Sequence, residues 1–176
     1  MNLYELFAGN ESWHTLRLLE YANRLTDEQL DRPLNNVTEA VPFQEPSKTL
    51  RQVLENIIYT KEVWGAALLG KNDVNLNFTP ASERTPARLL ERLRVADANF
   101  QLAFHNVAAA NTWDDEFVDA LCEPPEKFTY GSVFAHIITF NAHRRLQALD
   151  ALRQLGVTPE GFGDPSEFER SLTPAV

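Results

Sequence analysis

Apolar side chains recur at helical spacing in four long stretches of the chain. The first stretch, residues 2–25, has an inward row at three- and four-residue spacing: Leu3, Phe7, Asn10, His14, Leu18, Tyr21 and Leu25. Such spacing is typical of the buried face of an amphipathic helix. The second stretch, residues 48–69, follows Ser47 as its predicted N-cap and stops at Gly70. The pattern predicts helices for both stretches.

The third and fourth stretches carry clearer boundary signals. Thr85 and Pro86 supply an N-cap and a first-turn proline for a helix to residue 110, while Thr129 caps a last helix that Gly156 ends. The inward row of the last helix comprises Val133, Ile137, Phe140, Arg144, Ala148, Ala151 and Leu155. Opposite that row, Phe134, Ile138 and Leu149 are predicted to be exposed, where they would suit a partner or other parts of this chain.

Long connections follow the first and third helices. A short helix is predicted after Thr26, residues 35–45 and 71–84 are predicted loops, and residues 111–128 are predicted to form a short two-stranded flap. We expect an irregular tail after Gly156, anchored by Phe162 and Phe168. The fold class is therefore all-α: a four-helix bundle domain over residues 1–156, with a C-terminal tail, residues 157–176, packed on the bundle.

Composition excludes several classes of function. A net charge of −9 and a pI near 4.9 disfavour a nucleic-acid partner. Cys122 is the single cysteine, so no internal disulfide can form and a reducing compartment is expected. The start of the chain has no basic region, and no long apolar run is present. These features predict a cytoplasmic protein with no membrane partner.

One residue of the last helix does not belong in an apolar row. Arg144 must find an acid, an anion or water, because an unpaired charge costs several kcal/mol or more when it is buried. We therefore expect the functional site to lie around residues 136–147.

Several segments together resemble a known family. They are Trp13, the run LTDEQL at residues 25–30, Trp64, and the run HIITFNAHRRLQALDALRQLGV at residues 136–157, which is the most specific part. The chain resembles the DinB/YfiT-like family of bacterial four-helix bundle proteins over nearly its whole length. That resemblance implies a DinB/YfiT-like bundle and, from the family's damage-inducible members, a link to stress.

The resemblance also implies where a metal site would lie. Family members typically hold a divalent ion, commonly zinc or nickel, on three histidines, and the corresponding positions here are Asn56, Phe140 and Arg144. None of the three can replace an imidazole ligand. His136 and His143 are seven residues, or about 10 Å, apart along one helix, which is too far for both to bind one ion. We predict no metal and no cofactor.

Three alternatives remain open for the former metal pocket. In the first, Phe140 fills the void, Arg144 pairs with Glu11, Glu55 or Glu62, and nothing binds. In the second, Arg144, with or without Arg145, receives the carboxylate or phosphate of a small anionic ligand. In the third, the protein is a thiol-type transferase or hydrolase-like enzyme with a rebuilt metal site, although the loss of the family ligands argues against catalysis.

The interpretation that we favour is a DinB-like ligand-binding or stress-linked accessory protein that has lost the family metal site. A homodimer is a further expectation from the resemblance. The predicted pocket residues are Asn56, Thr60, His136, Phe140, His143, Arg144 and His14.

Overall fold

A computed structural model describes residues 2–35, 47–71, 83–120 and 123–173. The predicted loops at residues 35–45 and 71–84 lie mostly outside the described residues, and Cys122 lies wholly outside them. Within these ranges, no helix is both long enough and apolar enough to cross a membrane.

The described residues are mostly helical, which confirms the predicted all-α class. The four long helices are α1 (Leu3–Ala22), α3 (Leu50–Leu68), α4 (Pro86–Ala110) and α5 (Tyr130–Gln154). The short elements are helix α2 (Asp27–Leu30), strands β1 (Glu116–Asp119) and β2 (Glu126–Thr129), and helix α6 (Pro165–Ser171). Helices α1 and α3 each pack against both α4 and α5, which produces the bundle.

Side-chain caps fix where the helices begin. Thr85 and Thr129 accept hydrogen bonds from backbone N–H groups of the first turns of α4 and α5, as the sequence predicted. The predicted cap of α3 was wrong by two residues, because Thr49 caps the helix. Ser47 instead accepts a hydrogen bond from Asn56 Nδ2 at 2.8 Å, so its hydroxyl is used within the bundle.

The flap between α4 and α5 is an antiparallel hairpin, as predicted. Glu116 pairs with Thr129 and Phe117 with Phe128 in its register. Phe117 is buried, and its ring centroid lies 6.3 Å from that of Trp64 on α3. The hairpin therefore covers one end of the bundle.

The core consists of two apolar clusters separated by polar residues. The α2-end cluster includes Leu18, Leu54, Ile57, Leu93 and Leu152, and the flap-end cluster includes Ala8, Phe100, Phe104, Val133, Phe134 and Ile137. Between them, every long helix contributes buried or, at Asp97, half-buried polar side chains that form what we call the polar layer: Glu11, His14, Lys61, Asp97, Asn141, Arg144 and Arg145. The layer divides the core at the level of residues 141–145 of α5.

Two predicted faces were rotated from their true positions. Phe134 and Leu149 were expected to be exposed, but they are 3% and 2% exposed, because α5 packs against two helices and buries a wider face than one row. Leu3 and Phe7 were predicted to point inward and are 61% and 38% exposed. The buried face of α1 includes Glu11, which the predicted inward row left out.

The tail after α5 is more regular than predicted. Asp164 caps α6 and Pro165 takes its first position, a signal that the sequence carried. Phe168 is an anchor, as expected, and packs so closely on Gly9 of α1 that a Cβ there would lie 2.6 Å from the ring. Phe162 was wrongly predicted to be an anchor and is 62% exposed, because it precedes the helix and its side chain is not turned onto α1.

Candidate functional site

Two rows of side chains face each other where α3 and α5 meet. The α3 row is Asn56, Thr60 and Trp64, and the α5 row is His136, Phe140 and Arg144. Members of each row lie four residues apart and so share one helix face. Arg144 contacts Thr60, and the ring of His136 lies 5.6 Å from that of Trp64, so the two rows run antiparallel. We call this arrangement the α3–α5 seam.

Arg144 lies at the inner edge of the seam. Its Nη1 donates to Thr60 Oγ1 at 2.9 Å and to Asn141 Oδ1 at 3.1 Å. Both acceptors are neutral, and the side chain is 5% exposed. Burial lowers the pKa of the guanidinium to about 10.

Asn141 connects the seam to the polar layer. Its amide nitrogen donates to Glu11 Oε1 at 3.0 Å and to the Ile57 carbonyl at 3.3 Å, while its oxygen accepts from Arg144. Three hydrogen bonds fix the direction of this fully buried amide. The sequence analysis did not single out Asn141, although an Asn three residues before a buried Arg was a usable signal.

The polar layer continues from Glu11 into a buried ion cluster. Glu11 pairs with Lys61 Nζ, which also contacts Asp97, and both Glu11 and Lys61 are 0% exposed. Burial by itself would raise the pKa of the Glu11 carboxyl, but the Lys61 and Arg145 cations outweigh burial and lower it. For Asp97, burial prevails over Lys61 and raises the pKa of the carboxyl. The sequence analysis missed this cluster.

Arg145 and Glu11 also form an ion pair. Arg145 Nη1 lies 3.4 Å from Glu11 Oε1, without the geometry of a hydrogen bond. Burial lowers the pKa of Arg145 although Glu11 opposes that shift. Glu11 is therefore committed to Lys61 and Arg145.

Glu55 and Glu62, the other acids suggested for Arg144, both bind Arg92 of α4. Arg92 Nη1 donates to Glu55 at 2.8 Å, and Nη2 donates to Glu62 at 2.6 Å. Their hydrogen bonds and charges raise the pKa of Arg92. The three acids of the no-ligand alternative thus have cationic partners of their own in the structure.

The opposite end of the seam is aromatic. The ring centroid of Phe140 lies 4.4 Å from that of His136 and 5.8 Å from that of His143. Burial, and then the charge of Arg144, lower the pKa of His136, while Asp119 on the flap raises it less. The imidazole is therefore neutral at pH 7 and serves as a ring surface.

Asn56 closes the polar end of the seam. The residue is 7% exposed, and its amide nitrogen donates to Ser47, but its Oδ1 has no hydrogen-bond partner. Leaving a buried carbonyl oxygen unpaired costs about 1–3 kcal/mol. Among the predicted pocket residues, Asn56 is the one that supplies a buried acceptor.

His14, the remaining predicted pocket residue, has different neighbours. It is 5% exposed on α1, and a Cβ at Gly163 would lie 1.8 Å from its Nδ1, so the tail lies directly against the ring. Burial, then the charges of Arg145 and Arg17, lower the pKa of His14 to about 4. Five of the predicted residues lie in the seam, namely Asn56, Thr60, His136, Phe140 and Arg144. His143 is exposed beside Phe140, and His14 lies under the tail.

The three positions at which the family resemblance places metal ligands carry an amide, a phenyl ring and a guanidinium. The Asn56 amide, the Phe140 ring and the Arg144 guanidinium are engaged with Ser47, with two histidine rings and with Thr60, respectively. The Phe140 ring also lies between His136 and His143. Across the residues that the structure describes, no three His, Cys, Asp or Glu side chains are grouped so that they could hold a metal ion.

Comparison with known proteins identifies the family. A model of the DinB superfamily matches residues 12–148, from the middle of α1 through most of α5. A search of curated proteins found no match. The chain belongs to the DinB superfamily.

Proposed function

We propose that this DinB-superfamily protein binds a small anionic ligand at Arg144 in the α3–α5 seam, without a metal ion. The observation that carries the proposal is the position of the Arg144 guanidinium, whose Nη1 donates to Thr60 Oγ1 and Asn141 Oδ1 in the same seam as the half-buried rings of Trp64, His136 and Phe140. A carboxylate or phosphate beside it would form charge-assisted hydrogen bonds, which are stronger than neutral ones.

The surroundings of Arg144 support recognition of an anion. Thr60, Trp64, His136 and Phe140 are half-buried, so the seam reaches solvent at these four side chains, whereas Asn56 and Arg144 are buried. The hydrogen bond that Arg144 Nη1 donates to Asn141 fixes the position of the guanidinium. A donor that is already fixed loses little conformational entropy when a ligand binds. The arrangement is suited to binding and supplies no activated nucleophile.

The loss of the family metal is part of this proposal. It is supported by the donor chemistry at residues 56, 140 and 144, and by the phenyl ring between His136 and His143. Without a metal, the thiol chemistry of the alternative enzyme has no Lewis acid to make a thiolate. Among the residues that the structure describes, no contact favours that alternative.

Two further expectations rest on the family resemblance. A stress-linked accessory role is tested by measuring transcript levels after DNA damage. A homodimer is tested by light scattering. Its interface would not include Phe134 and Leu149, which were predicted to be exposed but are core residues.

Thermal unfolding with inorganic phosphate, acetate and succinate tests the binding proposal. A ligand at 100 times its Kd adds about 2.7 kcal/mol, which is about 5–10 °C in Tm for a chain of this size. We expect Arg144→Gln to abolish the shift and Arg144→Lys to retain part of it. Arg153→Gln, an exposed change on the same helix, is the matched control.

Two results would refute the proposal. If none of the three anions shifts the wild-type Tm, Arg144 is a structural residue. If protein purified without an affinity tag holds stoichiometric metal, the metal-free part is wrong. The triple variant Asn56→His, Phe140→His, Arg144→His should bind zinc where the wild type does not, provided that the backbone keeps the family geometry.

A further inference from the structure

The tail runs along α1 from the C-terminal half of the helix to its N-terminal half. Three contacts define this path, in order along the tail: Glu160 with Tyr21, Gly163 with His14, and Phe168 with Gly9. The first contact is a hydrogen bond of 2.9 Å from the backbone N–H to the tyrosine hydroxyl, and the other two are close packing contacts. His14 therefore lies in the middle of the surface that the tail covers.

One aromatic ring attaches α6 to α1. Phe168 is buried, and its ring centroid lies 5.9 Å from that of Trp13. The other large apolar side chains near it in the tail, Phe162 and Leu172, are mostly exposed. A segment with so few buried apolar groups is expected to open at a lower free energy than the core of the bundle.

The loop that faces His14 is fixed in one conformation. Gly163 has a φ of +83°, which residues other than glycine rarely adopt, and its N–H donates to Glu167 Oε2 at 2.6 Å. The N–H of Phe162 donates to the same oxygen at 3.2 Å. A Cβ at Gly163 would lie 1.8 Å from His14 Nδ1, so no water molecule fits between the glycine and this nitrogen.

The charged groups around His14 disfavour a proton on its ring. They are Glu11 and Arg17 on α1, Arg145 on α5, and Glu160, Asp164 and Glu167 of the tail. Glu11 pairs with Lys61 and Arg145, and the three tail carboxylates are engaged with Arg17 or with backbone N–H groups of the tail. A proton on His14 would therefore add a positive charge beside two others, away from water.

We propose that the tail is held on α1 while His14 is neutral, and that protonation of His14 releases it. Once the tail has left, water reaches the imidazole and solvates its charge. Trp13 and the backbone at Gly9 lose the cover of Phe168 at the same time. The protein thus covers an aromatic surface of α1 at neutral pH and exposes it in acid. This device does not involve the seam, so it is independent of the proposed function.

The size of the effect follows from the pKa of His14 in the two states. Under the tail the pKa is about 4, and in water the imidazole has its ordinary value of 6.5. The released state binds more protons, so a fall in pH favours it. The ratio of released to bound tail should rise about 20-fold between pH 7 and pH 5.

NMR titration of the His14 ring on the full chain tests whether the tail buries it. We expect a pKa of about 4 in the wild type. Gly163→Ala places a Cβ against the ring and should displace the tail, which raises the pKa of His14 to about 5 or higher. The matched control is Gly156→Ala, which has a similar φ of +81° but no atom within 4 Å of the new Cβ, and it should keep the wild-type pKa.

Hydrogen exchange, corrected for the intrinsic effect of pH, measures the release itself. The amide of Phe168 in α6 should be less protected than that of Ile57 in the core at both pH 7 and pH 5. Its protection should fall about 20-fold between these pH values. His14→Gln should remove that fall, whereas His105→Gln, an exposed change on α4, should keep it.

Three results would overturn the inference. The first is a His14 pKa that stays at about 4 in Gly163→Ala, because the tail would then not be what buries the ring. The second is an equal fall in the protection of Phe168 in wild type and His14→Gln. The third is equal protection of Phe168 and Ile57, because the tail would then leave α1 only when the whole protein unfolds. The wild-type and Gly163→Ala titrations decide the question on their own if His14→Gln does not fold.

Discussion

His14 makes the stability of the protein depend on pH. Its pKa is about 4 in the folded protein against 6.5 for the free side chain, because the ring is buried, Arg145 and Arg17 add positive charge, and Glu11 opposes only part of this. The unfolded chain therefore takes up a proton first as the pH falls. Stability rises with pH wherever the unfolded state binds more protons, so it is lost as the pH falls from 6.5 towards 4.

The size of the effect follows from those two pKa values. Each pKa unit is worth about 1.4 kcal/mol, so the complete loss is about 3 kcal/mol, of which about 2 kcal/mol falls between pH 7 and pH 5. Urea unfolding at pH 7, 6 and 5 measures it. We expect His14→Gln to reduce the change between pH 7 and pH 5 by about 2 kcal/mol.

The control is His105→Gln, which removes an exposed histidine of α4 and should keep the wild-type pH dependence. His136, whose pKa is also lowered, remains in both variants, so the difference between them reports on His14. Equal pH dependence in wild type and His14→Gln would show that the tail does not bury this imidazole.

Two other predictions concern the buried contacts. Lys61→Met removes the cation that the carboxylates of the polar layer share, and should lower the free energy of unfolding in urea by about 3–5 kcal/mol. The control is Lys127→Met, at an ion pair whose lysine side chain is 68% exposed, which should cost less than about 1 kcal/mol. Similar costs for the two variants would contradict the buried cluster. Gly9→Ala should stabilise the Phe168→Ala variant by about 1 kcal/mol, because alanine has the higher helix propensity. It should not stabilise the wild type, because the new Cβ would meet the Phe168 ring. If the effects of the two changes on the free energy of unfolding are additive, that contact is excluded.

The helices could be predicted because their signals are local. Thr129 and Gly156 bracket α5 within a few residues, and Thr85 with Pro86 fixes the start of α4. The same logic applied to Asp164 and Pro165 would have found α6, but the glycines around it suggested an irregular tail. Caps and turns are encoded within one helical turn, so their prediction needs no tertiary information.

The partners in the site could not be predicted in the same way. The sequence placed Arg144 in an apolar row but not the rotation of each helix about its axis, which decides the acid that each cation meets. Glu11 was available to any of three cations, and the structure assigns it to Lys61 and Arg145. The predicted inward row of α1 contained Asn10 and not Glu11. An error of one position in that row therefore decides whether Glu11 is assigned to the surface or to the centre of the polar layer.

The pKa of Arg144 is shifted in the opposite direction from those of Arg51 and Arg92. Burial disfavours the charge of Arg51, but Asp31 and Asp27 outweigh it and raise its pKa. Arg92 likewise has a raised pKa between Glu62 and Glu55. These two are clamps that connect helices. Burial instead lowers the pKa of Arg144, which lies at a seam in contact with solvent. Arg144 thus differs from both clamps in the direction of its pKa shift, and this difference makes it the first residue to test in the anion experiment.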